Sequence, residues 1–162
     1  MKIINKISVI WLNRKENLKE STEAFIDFLE ELKKFDSRLG NWYLKGNTRE
    51  EALINKVILE YEFVKKQFFK YADYEETALT KDSFLISFWN GAPKDSLSCT
   101  IRASLGGEGK LNSNNCVFNF PYEGEIYEYY RIQENWDNLL KFFIDYWQPD
   151  QYRDFEGNLM DI

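Results

Sequence analysis

The strictest constraint on the fold is an alternation of apolar and polar side chains over residues 97–105. The apolar positions of this run, each separated by a single Ser, Thr or Arg, are Leu97, Cys99, Ile101, Ala103 and Leu105. Successive side chains of a β-strand point to opposite faces, so the pattern predicts a strand with one buried and one solvated side. Such a strand requires a sheet and a second layer that covers its apolar face.

Three further segments are predicted to be strands. Residues 3–11 are rich in β-branched side chains, residues 84–89 are aromatic and end at a turn, and residues 116–120 end at Pro121. Proline has no backbone N–H to donate to a neighbouring strand, so the strand of residues 116–120 is predicted to end before Pro121. The last three of the four strands follow one another with short links, which predicts an antiparallel meander.

A helix is predicted between the first and second strands because apolar residues recur there at helical spacing. These residues are Phe25, Phe28, Leu29, Leu32 and Phe35. The period matches the apolar face of an amphipathic helix. Asn17 with Glu20 forms a candidate capping pair at its start, and Ser21 or Thr22 are alternative caps.

Two further helices are predicted. One begins at Thr48, where Glu51 completes a capping box, and extends for up to about 22 residues at the 3.6-residue period, with Glu60 as the site of any break. The other ends before Pro149. Its apolar stripe consists of Trp136, Leu139, Leu140, Phe143, Ile144 and Trp147.

The length of 162 residues is typical of one domain, and no repeat or linker divides the chain. We therefore predict a single domain over residues 1–162 in the order β-α-α-β-β-β-α. Its class is α+β, with an antiparallel sheet of about four strands packed against three main helices. The sequence leaves open whether residues 151–162 form regular structure.

The composition excludes several kinds of catalytic site. The chain contains no histidine, which removes Ser-His-Asp and Cys-His nucleophile systems and histidine metal sites. Its two cysteines, Cys99 and Cys116, fall on apolar strand positions and are predicted to pack as small hydrophobic residues. Gly109-Lys110 lacks the spacing of a phosphate-binding loop and lies between strands. We predict no metal, no cofactor and no enzymatic activity.

The net charge of −6 disfavours nucleic acid as the partner, and the acidic excess is local. Residues 1–120 carry a net charge of +1, whereas residues 121–162 carry 3 basic and 10 acidic side chains. The predicted contact residues in that acidic region are Tyr122, Glu123, Glu125, Tyr127, Glu128, Tyr129 and Tyr130. Tyrosine is common in protein interfaces, and clustered acid favours a basic partner. The alternative interpretation is a solvated edge segment whose tyrosines pack on the sheet.

The first eleven residues are predicted to be a strand rather than a signal peptide, because polar residues interrupt their apolar run. No window approaches the 18 or more consecutive apolar residues of a membrane span. Two cysteines are too few for a disulfide scaffold. These features predict a cytoplasmic protein with no membrane partner.

A set of ordered landmarks spans most of the chain. They are Arg14, Ala24, Leu29, Leu32, Asp36, Trp42-Tyr43, Gly46, Ala52-Leu53, Trp89-Asn90-Gly91, Leu97-Ser98-Cys99, Gly106, Asn115, Val117, Phe120-Pro121 and Trp147-Gln148-Pro149-Asp150. In order and spacing they resemble the immunity protein 52 family of bacterial polymorphic-toxin systems. The resemblance ends after Asp150. Most of these residues are ones that a fold requires, so no functional residue is transferred.

The resemblance implies a small cytoplasmic protein that binds and neutralises a cognate secreted toxin. Toxins paired with such proteins include nucleases, whose surfaces must be basic to hold nucleic acid. Two alternatives stay open: a carboxylate-dependent hydrolase, which requires two convergent carboxyls of raised pKa, and a regulatory or adaptor domain that binds another protein through residues 122–130. The sequence does not decide the identity of the toxin, the binding face or the oligomeric state.

Overall fold

A computed structural model describes residues 3–46, 48–68, 76–77, 79, 83–108 and 113–162. Within these residues the chain forms one six-stranded antiparallel sheet and five α-helices. The strands are β1 (Ile7–Trp11), β2 (Phe84–Trp89), β3 (Thr100–Leu105), β4 (Asn114–Asn119), β5 (Gln151–Arg153) and β6 (Leu159–Asp161), and their order in the sheet is β2-β3-β4-β1-β5-β6. The helices are α1 (Leu18–Phe35), α2 (Arg49–Ile54), α3 (Tyr61–Lys65), α4 (Gly124–Tyr130) and α5 (Gln133–Trp147).

The α+β class and the β2-β3-β4 meander are confirmed, but the prediction of about four strands is wrong. The four predicted strands are β1 to β4, and β5 and β6 form an additional hairpin beside β1. Residues 151–162 therefore contribute two strands to the sheet. Each of these strands has three residues, and an alternation that short cannot be recognised in a sequence.

The prediction of three main helices is also wrong. The helix predicted from Thr48 is divided into two short helices, α2 and α3, separated by residues 55–60, and the predicted break site, Glu60, directly precedes α3. At the break, the backbone N–H of Val57 donates to the carbonyl of Trp42 at 2.9 Å instead of to its own helix. Pairing with a distant segment thus overrides the helical period. The remaining helix, α4, lies in the segment of the predicted contact residues, for which the sequence indicated no helix.

Helix α1 begins at the predicted Asn17. Its Oδ1 accepts from the backbone N–H of Glu20 at 2.7 Å, and Glu20 Oε1 accepts from the backbone N–H of Asn17 at 3.2 Å. Both bonds of the capping box are present. The alternative caps, Ser21 and Thr22, lie inside the helix and are buried.

The core lies between the helices and one face of the sheet, and its centre is aromatic. Phe28 of α1 lies 5.1 Å, between ring centroids, from Phe143, Tyr146 and Trp147 of α5. The Trp147 ring stacks on Trp11 of β1, also at 5.1 Å. These rings join both long helices to the middle of the sheet.

Two polar contacts hold the two ends of the described chain together. The Arg14 guanidinium donates to the carbonyls of Trp147 and Gln148, where α5 ends, with 2.6 Å to Gln148. The Asp150 carboxylate accepts from the backbone N–H of Leu12 at 2.8 Å. A cation at the last turn satisfies carbonyls that the helix leaves unpaired, so Arg14 fixes the end of α5 against β1.

We expect Asn17→Ala to lower the free energy of unfolding by about 1 kcal/mol, because the helix loses the acceptor for an unpaired N–H. Urea unfolding followed by circular dichroism measures this change. Asn17→Ser, which restores an acceptor oxygen, should recover most of the loss. Equal stability of the Ala and Ser variants would show that the capping bond contributes nothing.

Candidate protein-binding surface

The predicted contact segment folds as helix α4 and is anchored at its start. The backbone N–H groups of Tyr122 and Glu123 donate to the carbonyl of Ser96 at 2.8 and 3.1 Å. Gly124 has a φ of +92°, and a Cβ atom there would lie 2.7 Å from a methyl carbon of Leu97. Glycine is therefore required at this position, and α4 begins at a fixed point against the loop before β3.

The helix divides the seven predicted contact residues between surface and core. Exposed side chains are Tyr122, Glu125, Glu128 and Tyr129, and Glu123 is half-buried. Tyr127 and Tyr130 are 5% and 0% exposed, so their inclusion as contact residues is corrected: neither is accessible to a partner. They stand three residues apart, so the helical period turns both toward the core.

The acids of α4 and its N-cap have cationic partners within the chain. Glu123 pairs with Lys94 and accepts from the Ser96 hydroxyl at 2.8 Å. The hydrogen bond from Lys94 has the larger effect, and together with the bond from Ser96 it lowers the pKa of the Glu123 carboxyl. Arg38 lies 3.7 Å from the Glu125 carboxylate, and Arg131 lies 3.0 Å from that of Glu128. The negative field of this segment is consequently weaker than the sequence count implied.

A hydrogen-bonded group joins α4 to the end of α1. The Asp36 carboxylate accepts from Arg38 Nε at 2.9 Å, from Arg38 Nη2 at 2.8 Å and from the Tyr130 hydroxyl at 2.6 Å. Burial alone would raise the pKa of Asp36, but these donors outweigh it and lower the pKa. Burial and the adjacent carboxylate raise the pKa of Tyr130. Arg38 also lies 4.1 Å from the centroid of the Tyr129 ring, a cation–π contact.

Beside this group lies an open groove between the end of α1 and helices α4 and α5. Its volume is about 760 Å³. Phe35, Tyr129 and Phe142 give it an apolar part, and Lys34, Lys141 and Asp145 place both signs of charge on its rim. Phe35 is 42% exposed and stacks on Phe142 with 5.0 Å between centroids. Exposed aromatic rings within a charged rim are typical of protein-contact surfaces.

Sequence reasoning missed most of this groove. Its walls come from α1 and α5 as well as α4, and residues 94 positions apart meet in the contact between Asp36 and Tyr130. Phe35 is the last residue of the predicted apolar stripe of α1, so the sequence pattern did not indicate that its side chain is exposed. One signal was present: Asp36 directly after the helix, with Arg38 two residues later, is a local acid–base pair.

Both cysteines are buried, as predicted. Burial raises the pKa of the Cys99 thiol to about 12 and also raises that of Cys116. A thiol held protonated in this way is a poor nucleophile. The two side chains pack among the apolar residues of the sheet face that the helices cover.

Among the described residues, Asp137, Asp154 and Asp161 line one cavity, but hydrogen bonds, chiefly from the backbone of Asn158, lower the pKa of Asp154, whereas the hydrolase alternative requires raised values. Glu16 has a pKa raised by burial and by nearby Glu20, and opposed by Arg14, but it lines none of the four cavities described on this molecule. Within the described part of the chain, no three His, Cys, Asp or Glu side chains are grouped to hold a metal ion. Gly109-Lys110 lies outside the described residues.

Comparison with protein-family models gives no match to this chain, and comparison with curated proteins gives none either. The resemblance to the immunity protein 52 family rests on the ordered sequence landmarks and stays a prediction. Among the described residues, no helix combines the length and apolar character needed to cross a bilayer.

We expect the thiols of Cys99 and Cys116 to react with a chromogenic disulfide reagent only when the protein unfolds, because both are buried and protonated. Reaction at pH 8, with and without urea, measures this. The two thiols should modify in parallel with the unfolding transition. Rapid modification of either thiol in the native protein would contradict its burial.

We expect Asp36→Asn to lower stability at pH 7 by about 1.5 to 3 kcal/mol, since charged hydrogen bonds to Arg38 and Tyr130 are lost. The pKa of Asp36 in the folded protein lies below its ordinary value. The carboxylate therefore contributes its full stabilisation of the folded state above about pH 3.9. This contribution is lost as the pH falls through the lowered pKa of the folded state. Urea unfolding of both proteins from pH 7 to pH 2 should show the difference shrinking with acidification.

Glu128→Gln serves as the control for Asp36→Asn. It removes a carboxylate from an exposed ion pair, and such pairs contribute little. A loss for Asp36→Asn that equals the control, or that does not change with pH, would show that the buried group is not stabilising.

Proposed function

We propose that the chain is a cytoplasmic immunity protein that binds a cognate bacterial toxin domain and neutralises it by protein–protein contact. The observation that carries this proposal is the coincidence of exposed apolar side chains with the acidic C-terminal region. Of twelve exposed large hydrophobic residues in the described chain, six lie in residues 121–162: Tyr122, Tyr129, Ile132, Leu159, Met160 and Ile162. Apolar side chains placed among charges of one sign suit a partner of the opposite sign.

The part of this region that best supports docking is the α4–α5 surface, defined as the exposed side chains of Tyr122, Glu125, Glu128, Tyr129, Ile132, Glu134 and Asp137. Glu134 and Asp137 begin α5 and have no ion-pair partner among the described residues. They therefore supply negative charge that the chain itself does not neutralise. Tyr129 and Ile132, which are 41% and 54% exposed, lie in sequence between these acids and those of α4 and supply apolar contact area.

A basic partner follows from this chemistry. A toxin that acts on nucleic acid must present cations to phosphate groups, and an acidic surface bearing tyrosine can occupy the same cations. Such binding would exclude the substrate without any reaction by the inhibitor. The resemblance to the immunity protein 52 family supports the same conclusion. An adaptor domain would use the same surface, and relief of toxicity separates the two functions.

The test is co-expression with the toxin domain encoded by the adjacent gene. We expect the wild-type chain to restore growth and to co-purify with that domain. Glu134→Lys/Asp137→Lys should weaken binding at least about tenfold, mainly through a slower association rate that depends on salt. Surface-plasmon resonance at two salt concentrations measures the rate, and growth measures protection.

Glu23→Lys/Glu30→Lys on α1 is the matched control, since it reverses two exposed charges on another helix. It should leave binding and protection unchanged. An equal effect of both double variants would assign the loss to net charge rather than to the α4–α5 surface. A wild-type chain that neither binds nor protects against the neighbouring toxin domain would refute the immunity function.

A further inference from the structure

The sheet face opposite the helices carries a cavity of about 500 Å³. Side chains alternate along each strand. Those of Ile7, Ile101 and Phe118 therefore point into the core, and those of the residues next to them on the same strands point to this second face. Each described residue that lines the cavity lies on a strand or next to one. Its floor is closed: Ser8, Ser104 and Val117 are only 4%, 8% and 4% exposed. The face is thus concave rather than a flat solvated surface.

The charge of this cavity is opposite to that of the whole chain. Among the described residues, its lining includes Lys6, Arg102 and Arg153 and no Asp or Glu. On β1 to β4, the side chains that share this face include no carboxylate at all. None of the three cations forms an ion pair with a carboxylate of a described residue; Arg153 donates to the backbone carbonyl of Gly157 at 3.1 Å. Three cations are therefore available in one concavity of a protein with net charge −6.

The strand register sets the spacing of these cations. Arg102 pairs with Val117, Val117 pairs with Ser8, and Arg153 lies beside Ser8 because the preceding Tyr152 pairs with Val9. Arg102 and Arg153 are thus three strand spacings apart, about 14 Å between backbones at 4.7–4.9 Å per strand. Because the two arginines stand on separate strands, a ligand that carries more than one negative group can contact both of these long side chains.

We propose that this cavity binds a small ligand carrying two or more phosphate or carboxylate groups. The hydroxyl groups of Ser87 and Ser104 and the amide of Asn115 line the same cavity and can donate to the oxygens of such a ligand. Arginine is suited to bidentate contact with either anion. The volume falls in the range of small-molecule sites, about 300–1,000 Å³. A low-dielectric concavity lined by one sign of charge concentrates ligands of the other sign.

Single-stranded nucleic acid fits the cavity less well. Proteins that bind it stack bases on aromatic side chains, and no aromatic side chain of the described residues lines this cavity. The site is separate from the α4–α5 surface, and it does not depend on the proposed toxin binding.

The test is calorimetric titration of the full chain with inorganic triphosphate and, separately, with citrate, at low ionic strength. We expect saturable one-to-one binding of at least one of the two, weakened by added NaCl. Arg102→Gln should weaken that binding at least tenfold, and Lys6→Gln should also weaken it. Both side chains line the cavity and are not part of the buried core, so we expect the variants to fold. Urea unfolding curves check this.

Lys66→Gln is the matched control, because it removes one exposed cation outside the cavity. It should change the affinity by less than twofold. The proposal is overturned if neither anion saturates the wild-type chain, or if Arg102→Gln and Lys66→Gln have equal effects. It is also overturned if a hexaglutamate peptide displaces triphosphate at a lower concentration than citrate does, since the face would then be a dock for an acidic protein segment.

Discussion

Contact among aromatic rings at the centre of the core sets the arrangement of the molecule. Phe28 of α1 touches three rings of α5, and one of these, Trp147, stacks on Trp11 of the central strand β1. Large rings in a close-packed interior allow few relative positions of the elements that carry them. The two long helices are therefore held in one register on the sheet, and the surfaces between them are fixed as well.

The position of α4 follows from that arrangement. Tyr130 reaches Asp36 at the end of α1, and Arg38 extends from the same turn over Tyr129. The acids of α4 are engaged with cations of the chain, whereas Glu134 and Asp137 at the start of α5 are available to a partner. Two helices adjacent in sequence thus differ in their electrostatic role, because Glu125 has the distant Arg38 beside it and Glu128 has Arg131 one turn later, whereas the acids at the start of α5 have no such cation among the described residues.

Charge is also distributed unevenly over the surface. The acidic excess follows α5 and the C-terminal hairpin, while Lys6, Arg102 and Arg153 share the uncovered face of the strands. A net charge of −6 conceals this division, since it sums over faces that point in different directions. Partners of opposite charge can consequently bind different parts of the same small protein.

The sequence by itself determined the elements whose signals are local: the alternation that became β3, the aromatic run that became β2, and the Asn17 cap of α1. It also determined that nucleophilic chemistry based on histidine is excluded. Tertiary structure decided what depends on contacts between distant residues. It broke the helix predicted after Thr48 through the bond from Val57 to Trp42, and it paired the short strands of residues 151–161 beside β1. It also buried Tyr127 and Tyr130 and brought three cations from separate strands into one cavity. Helical and strand periods are set by neighbouring residues, whereas ion pairing, burial and cavities are set by partners that the linear order does not reveal.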